Sequence, residues 1–288
     1  MGQFLVAGPR RTGTSLLTSV CCSDPSANPM LAEAQILTRV VEAYRWGRLH
    51  FQLFGKSYFD DPEAYRRHFA EMAGLFVRHV QERFAPISHV VLKNPEFSLV
   101  IDDLCDLLPE AKVIVCIRDP RDQVVSEYET GLRQLKAGMT NDAVKNRDMA
   151  ALARMYCVYG DPLMLAAARE PQRFLFVRFE DLMSRTEQTL GALRAFTGMA
   201  FSAFDRDADW ARMRVDLNDY EGVPTMTPQV GRKFDPSRIG RFRAVLRDFE
   251  IETIHSVCRP YFERFGYDMA IPREASAERA PNALADPS

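Results

Sequence analysis

Two short stretches carry residue types able to do chemistry, and in both the chemistry is that of an anion grip. Near the start, Gly8-Pro9-Arg10-Arg11-Thr12-Gly13-Thr14-Ser15 puts two cations and three hydroxyls among glycines. If a helix opens at the end of this loop, its first backbone N–H groups point at whatever anion the loop surrounds. Gly8, four residues and Gly13 give the spacing of a Walker A loop, but Thr14 stands where that loop has its Lys, with Ser15 behind it. The cations are instead Arg10 and Arg11, inside the loop. The second stretch pairs Arg118, at the end of the apolar run Lys112–Ile117, with Ser126 eight residues on. A guanidinium and a hydroxyl so placed clamp a second anion. A Walker B strand ends in Asp to help hold magnesium; this one ends in Arg. The pattern points to metal-free binding of a ligand that carries phosphate at two separate positions, and not to ATP hydrolysis.

The elements that must position these residues follow from hydrophobic pattern. Phe4–Ala7, Val90–Leu92, Lys112–Ile117 and Phe174–Phe179 are short apolar runs of the kind found in buried parallel strands. Helical spacing is expected over Ser15–Cys21, Ile36–Trp46, Pro62–Phe84, Phe97–Leu108, Pro120–Leu132, Met149–Arg169, Thr186–Phe196 and Phe242–Phe265. Strands separated by helices imply an α/β, three-layer P-loop-type fold with a central, mostly parallel sheet flanked by helices. In such a sheet ligands sit at the carboxyl ends of strands, so Gly8–Ser15, Lys93 and Arg118 would converge on one edge. Residues 1–270 are expected to form one α/β domain with a helical insertion at about 34–85, and 271–288 a disordered tail rich in Ala, Glu and Pro.

Composition narrows the class. The chain has 288 residues, 47% of them hydrophobic, and a net charge of −2, so there is no general attraction to nucleic acid or to an anionic membrane. No window approaches the length of a membrane span. Six cysteines without C-x-x-C spacing read as reduced core residues, which suits a cytoplasmic protein. The five histidines show no metal spacing, and no metal site is expected.

Arg11-Thr-Gly-Thr-Ser-Leu16 together with Val113-Ile-Val-Cys-Ile-Arg118-Asp-Pro-Arg-Asp-Gln-Val-Val-Ser126 resembles the two cofactor motifs of the sulfotransferases that use 3′-phosphoadenosine 5′-phosphosulfate (PAPS). Arg178-Phe-Glu-Asp-Leu182 resembles the family's Arg-Tyr-Glu-Asp-Leu segment, and Phe265-Gly-Tyr-Asp268 its close. The likeness spans about residues 3–268 and is of the bacterial type, with some similarity to tyrosylprotein sulfotransferases around Glu33. It implies that Arg10 or Arg11 faces the sulfate while Thr12, Gly13, Thr14 and Ser15 cradle the 5′-phosphate. It implies further that Arg118 and Ser126 hold the 3′-phosphate and that Lys93, in Lys93-Asn-Pro95, lies near the transferring group. Lys233 echoes the family's basic cap over the cofactor. Lys93-Asn-Pro-Glu96 lacks the His that serves as base in the cytosolic branch, so a carboxylate base is favoured: Glu33, with Glu96 as the rival.

What the resemblance implies is sulfuryl transfer from PAPS to an acceptor hydroxyl or amine, leaving 3′-phosphoadenosine 5′-phosphate (PAP), with no metal. The acceptor, whether small molecule, glycan or peptide, has no readable motif. Two other classes are open to the same residues: a P-loop kinase-like phosphotransferase, disfavoured by Thr14 and by the missing Walker B Asp, and a non-catalytic nucleotide-binding protein, which needs no base.

Overall fold

A computed structural model describes residues 2–202, 204 and 235–271. Residues 203 and 205–234, Lys233 among them, and the tail beyond Ile271 lie outside the described residues. Four strands, β1 (Gly2–Ala7), β2 (His89–Lys93), β3 (Ala111–Ile117) and β4 (Phe174–Arg178), form one sheet in the order β2-β1-β3-β4. Every pairing is parallel, with Val6 opposite both Lys93 and Ile114, and Ile117 opposite Arg178. The carboxyl ends of all four strands therefore open on one edge, where the Gly8–Gly13 loop, Lys93, Arg118 and Phe179 follow.

The α-helices of the described residues are α1 (Thr14–Cys22), α2 (Gln35–Leu49), α3 (Pro62–Arg83), α4 (Ile101–Leu107), α5 (Pro120–Lys136), α6 (Asp142–Lys145), α7 (Met149–Arg169), α8 (Phe179–Ser184), α9 (Thr186–Thr197), α10 (Phe242–Val245) and α11 (Asp248–Phe265). Side-chain alternation along the strands builds a layer on each face. Leu5, Ala7, Leu92, Val113, Val115 and Ile117 pack with residues of α2, α3, α4 and α7. Phe4, Val6, Val91, Ile114, Cys116 and Val177 face the other way, onto α1, α8 and α9. Since both faces are covered, the strands must be apolar on both, which is why they read as continuous runs. A third cluster joins α5, α7 and α11 through Val124, Tyr156, Ile254 and Tyr261, and it sets α5 beside the functional edge.

Three stretches differ from expectation. In place of one helix over Phe97–Leu108, Pro95–Val100 is a 3₁₀ turn and α4 begins at Ile101. Asn94 caps this turn by accepting from Glu96 N–H at 3.1 Å, and the tighter winding lets Ser98 Oγ accept from Gly8 N–H at 3.2 Å. The expected helix Phe242–Phe265 is broken between α10 and α11: Leu246 is extended, and Glu250 reaches back to accept from Arg247 N–H at 2.8 Å, starting a new helix. Between α5 and α7, where no element is expected, lies the one-turn helix α6, capped by Asn141.

Candidate functional site

The loop between β1 and α1 is shaped by residues in the left-handed region. Gly8, Arg11 and Gly13 have φ of 140°, 66° and 101°. A Cβ on Gly8 would stand 2.3 Å from Cys116 O, and one on Gly13 would stand 2.6 Å from the Phe179 ring, so the loop lies directly on β3 and the start of α8. Thr12 turns inward: its hydroxyl donates to Pro9 O at 2.7 Å, and its carbonyl accepts from the Cys116 thiol at 3.1 Å. The first bond of α1 runs from Leu17 N–H to Gly13 O, so the amides of Thr14, Ser15 and Leu16 precede the ladder and have no acceptor within the helix. Thr14 is buried and Ser15 half-buried beside them.

Arg10 and Arg11 part company. Arg10 is exposed; it pairs with Glu96 at 3.2 Å and lies 5.4 Å from the Tyr159 ring centre. Arg11 is half-buried, and its Nε is a buried donor without a hydrogen-bond partner. Burial lowers its pKa from the ordinary value; Glu127 opposes that shift, while Arg133 and Arg118 add to it. The guanidinium stays charged at any ordinary pH, and its buried Nε is a charged donor that an anion could satisfy.

Arg118 stands at the end of β3 with only 7% of its surface exposed. Its two terminal nitrogens donate to backbone carbonyls, Arg11 O at 3.4 Å and Arg238 O at 2.6 Å, and its guanidinium lies 4.6 Å from the Phe179 ring centre. Its Nε, too, is buried without a partner. Neither neighbouring carboxylate forms an ion pair with it, although the Arg118 charge offsets part of the burial that raises the Asp122 pKa. Asp119 is taken by Arg121 at 2.7 Å, and Asp122 accepts from Gly240 N–H at 2.6 Å and Phe242 N–H at 2.9 Å. Ser126 is half-buried on α5, one residue before Glu127.

At the end of β2, Lys93 Nζ meets Glu33 Oε1 at 2.7 Å, the lysine side chain 7% exposed and the carboxylate 41%. The backbone reinforces the meeting, since Ala34 N–H donates to Lys93 O at 2.9 Å. Glu33 lies just ahead of α2, on a segment held against the strand end. Glu33 and Lys93 thus come together, as do Arg10 and Glu96, and as do Arg11 and Arg118 through the Arg11 carbonyl; Lys233 lies outside the described residues.

Three further residues have roles that motif reading does not assign. Phe179 is the platform wedged between Arg118 and Gly13. Glu180 is half-buried, its desolvation raises its pKa, and it accepts from Asp119 N–H at 2.9 Å and from the Tyr267 hydroxyl at 2.9 Å. Through Glu180 the Arg178–Leu182 and Phe265–Asp268 segments brace the end of β3 that carries Arg118. Glu127 is a half-buried carboxylate with a buried, unpartnered Oε2. Burial raises its pKa against the pull of Arg11 and Arg10. The only signal for it in the sequence is its position one turn after Gln123, whose amide donates to Arg10 O at 2.8 Å. Among the described residues no group of His, Cys, Asp and Glu is arranged to hold a metal, and no helix is long and apolar enough to cross a membrane.

Solved structures similar to this chain are sulfotransferases. The sulfotransferase domain of the Synechococcus PCC 7002 olefin synthase has 19% identity and a TM-score of 0.57, covering 93% of this chain and 94% of that one. The sulfotransferase domain of the curacin biosynthetic pathway has 16% identity and a TM-score of 0.61, covering 93% and 99%. Sulfotransferase STF9 from Mycobacterium avium has 15% identity and a TM-score of 0.53, covering 92% and 77%. These likenesses establish the P-loop-type α/β fold. Comparison with curated proteins found no match. The sulfotransferase family model matches residues 3–203, more than half of the chain and all four strands with their carboxyl-end loops, and the protein belongs to the sulfotransferase family.

Proposed function

We propose that the protein transfers a sulfuryl group from PAPS to an acceptor hydroxyl or amine. The observation that carries this reading is the pair of buried, unpartnered guanidinium nitrogens, Arg11 Nε in the loop after β1 and Arg118 Nε directly after the adjacent β3. Buried charged donors without partners are costly unless a ligand satisfies them. Two such donors beside a helix N-terminus suit a nucleotide with phosphate at both ends. The donor, when bound, supplies the sulfuryl group and a phosphate leaving group. Arg11, the amides of Thr14 and Ser15, and their hydroxyls bind the 5′ end, with Thr12 and Gly13 shaping the loop. Arg118 and Ser126 bind the 3′-phosphate. Arg10, tied to Glu96 at the loop's exposed rim, borders the acceptor side, and Lys233 is proposed to cap the nucleotide.

In this reading Glu33 takes the acceptor proton, and Lys93, 2.7 Å away, orients the carboxylate and then stabilises charge on the leaving oxygen. We read residues 1–270 as one catalytic domain acting in the cytoplasm on a non-nucleic-acid acceptor. The test is transfer of labelled sulfate from PAPS across a panel of hydroxyl and amine acceptors. Label transfer by the unaltered protein that is lost in Glu33→Gln supports the reading. Hydrolysis of PAPS without transfer to any acceptor, or full activity in Glu33→Gln, would contradict it.

A further inference from the structure

The seam between α7 and α11 holds two sulfurs that neither the anion grip nor the Glu33–Lys93 pair uses. Cys157, on α7, and Cys258, on α11, are 101 residues apart in the chain, and their Sγ atoms stand 3.8 Å apart. Each thiol also reaches the backbone of the opposite helix: Cys157 donates to Val257 O at 3.6 Å, and Cys258 to Ala153 O at 3.6 Å. Small residues let the helices approach this closely. Ala153 stands one turn before Cys157, and about one turn after it a Cβ on Gly160 would lie 2.3 Å from the Tyr261 hydroxyl. The two sulfurs differ in access, since Cys258 is fully buried and Cys157 is half-buried.

We infer that Cys157 and Cys258 are a peroxide-sensitive dithiol that closes to a disulfide and staples α7 to α11. The Cys157 thiol gives its proton to solvent, and the thiolate attacks one oxygen of hydrogen peroxide. The O–O bond breaks, Cys157 becomes a sulfenic acid, and the departing hydroxide takes up a proton to leave as water. Cys258 then attacks the Cys157 sulfur. The S–S bond forms, the S–O bond breaks, and the oxygen leaves with the Cys258 proton as a second water. Two thiols are oxidised by two electrons, and the peroxide is reduced by the same two.

The geometry suits this order of events. Cys157 is the sulfur that a small oxidant can reach. The Cys258 thiol lies where it can donate to the Cys157 sulfur, which favours the Cys157 thiolate and lowers its pKa. In the second step the attacking sulfur is already beside its target, and closure has to bring 3.8 Å down to the roughly 2 Å of a disulfide. The seam also lies behind the anion grip. Tyr156, the residue before Cys157, is buried, donates from its hydroxyl to Arg118 O at 3.0 Å, and packs edge-on against Tyr261 with ring centres 4.9 Å apart. The staple therefore fastens the helix that holds the end of β3. Because it joins residues so distant in the chain, it stabilises the fold by restricting the unfolded state.

The test is exposure of the reduced, full-length protein to hydrogen peroxide, followed by labelling of free thiols after unfolding, peptide mapping and thermal melting. The expected product is a linked pair of peptides carrying Cys157 and Cys258, with Cys21, Cys22, Cys105 and Cys116, all buried, still labelled as thiols. Its melting temperature should be higher by about 4–8 °C, and a dithiol reductant should return it to the starting value. In Cys258→Ser, which keeps a hydroxyl donor toward Ala153 O, the sulfenic acid at Cys157 should persist and be trapped by a dimedone-type reagent. In Cys157→Ser, Cys258 should remain a thiol. Peroxide treatment that leaves Cys157 and Cys258 of the unaltered protein as free thiols, or that links either to a different cysteine, would overturn the pair. A linked pair with an unchanged melting temperature would overturn the staple.

Discussion

The carboxyl edge of the sheet has two halves built on opposite principles. At the β1–β3 side, Arg11 and Arg118 are cationic, largely enclosed, and left with buried donors that no protein atom accepts. At the β2 side, Lys93 and Glu33 satisfy each other at 2.7 Å, and Arg10 and Glu96 do so at 3.2 Å. The first half keeps buried guanidinium donors without protein acceptors, although Glu127 and Glu129 offset part of the cost of burying Arg11, while the second pairs its charges and has a carboxylate 41% open to solvent. In the function proposed above, the contrast separates binding from chemistry: one half would supply affinity for a ligand with two phosphates, the other an acid–base group whose partner holds its orientation. It also explains why two arginines of the same short motif behave differently. Arg121 is saturated by Asp119 and stacked 4.0 Å from the Phe242 ring centre, a structural brace, whereas Arg118, three residues earlier, keeps a donor in reserve.

Substitutions should divide along the same line. Glu33→Gln is expected to lower kcat by about 10²–10⁴-fold while leaving the Kd for PAP unchanged, as checked by steady-state kinetics beside calorimetry. If Glu96→Gln gave that loss instead, the base would be reassigned. Arg11→Ala should weaken PAP binding by about 1.5–3 kcal/mol, roughly ten- to 150-fold, since a charge-assisted contact is lost in an enclosed setting. Gly13→Ala should destabilise the fold by about 1–3 kcal/mol, because the residue keeps φ at 101° and its methyl meets the Phe179 ring; thermal melting reads this directly. Arg10→Ala should change the Kd for PAP by less than about threefold, since its ion pair with Glu96 is largely exposed. A large loss at Arg10 with little at Arg11 would invert the assignment of the two arginines.

Much of this arrangement is legible in the chain because parallel strands buried on both faces must be apolar runs, and the residue after each run lands on a shared edge. The Gly8–Ser15 loop, Lys93 and Arg118 are found that way. The meeting of Glu33 with Lys93, sixty residues apart, is not, because it depends on Ala34 N–H reaching the β2 carbonyl. Nor can motif reading choose between Arg10 and Arg11. The left-handed backbone at Arg11 separates them, and a non-glycine residue in that region leaves no pattern to read. Glu127 and Phe179 escape for a related reason: one looks like an ordinary helix residue and the other like the last residue of a strand until the neighbouring loop is known. The breaks before α4 and within 242–265 arise from side chains that cap backbone amides, a local competition that apolar periodicity does not register.

The central claim is a clamp that recognises phosphate at both ends of the nucleotide, and it is tested most directly by calorimetric titration of the unaltered protein and Arg118→Ala with PAP and with ADP. The account predicts that the unaltered protein binds PAP at least about tenfold more tightly than ADP, and that Arg118→Ala erases this preference by weakening PAP alone, as expected for loss of one charge-assisted phosphate contact. Equal affinity for the two nucleotides, or a preference for PAP that survives in Arg118→Ala, would contradict it.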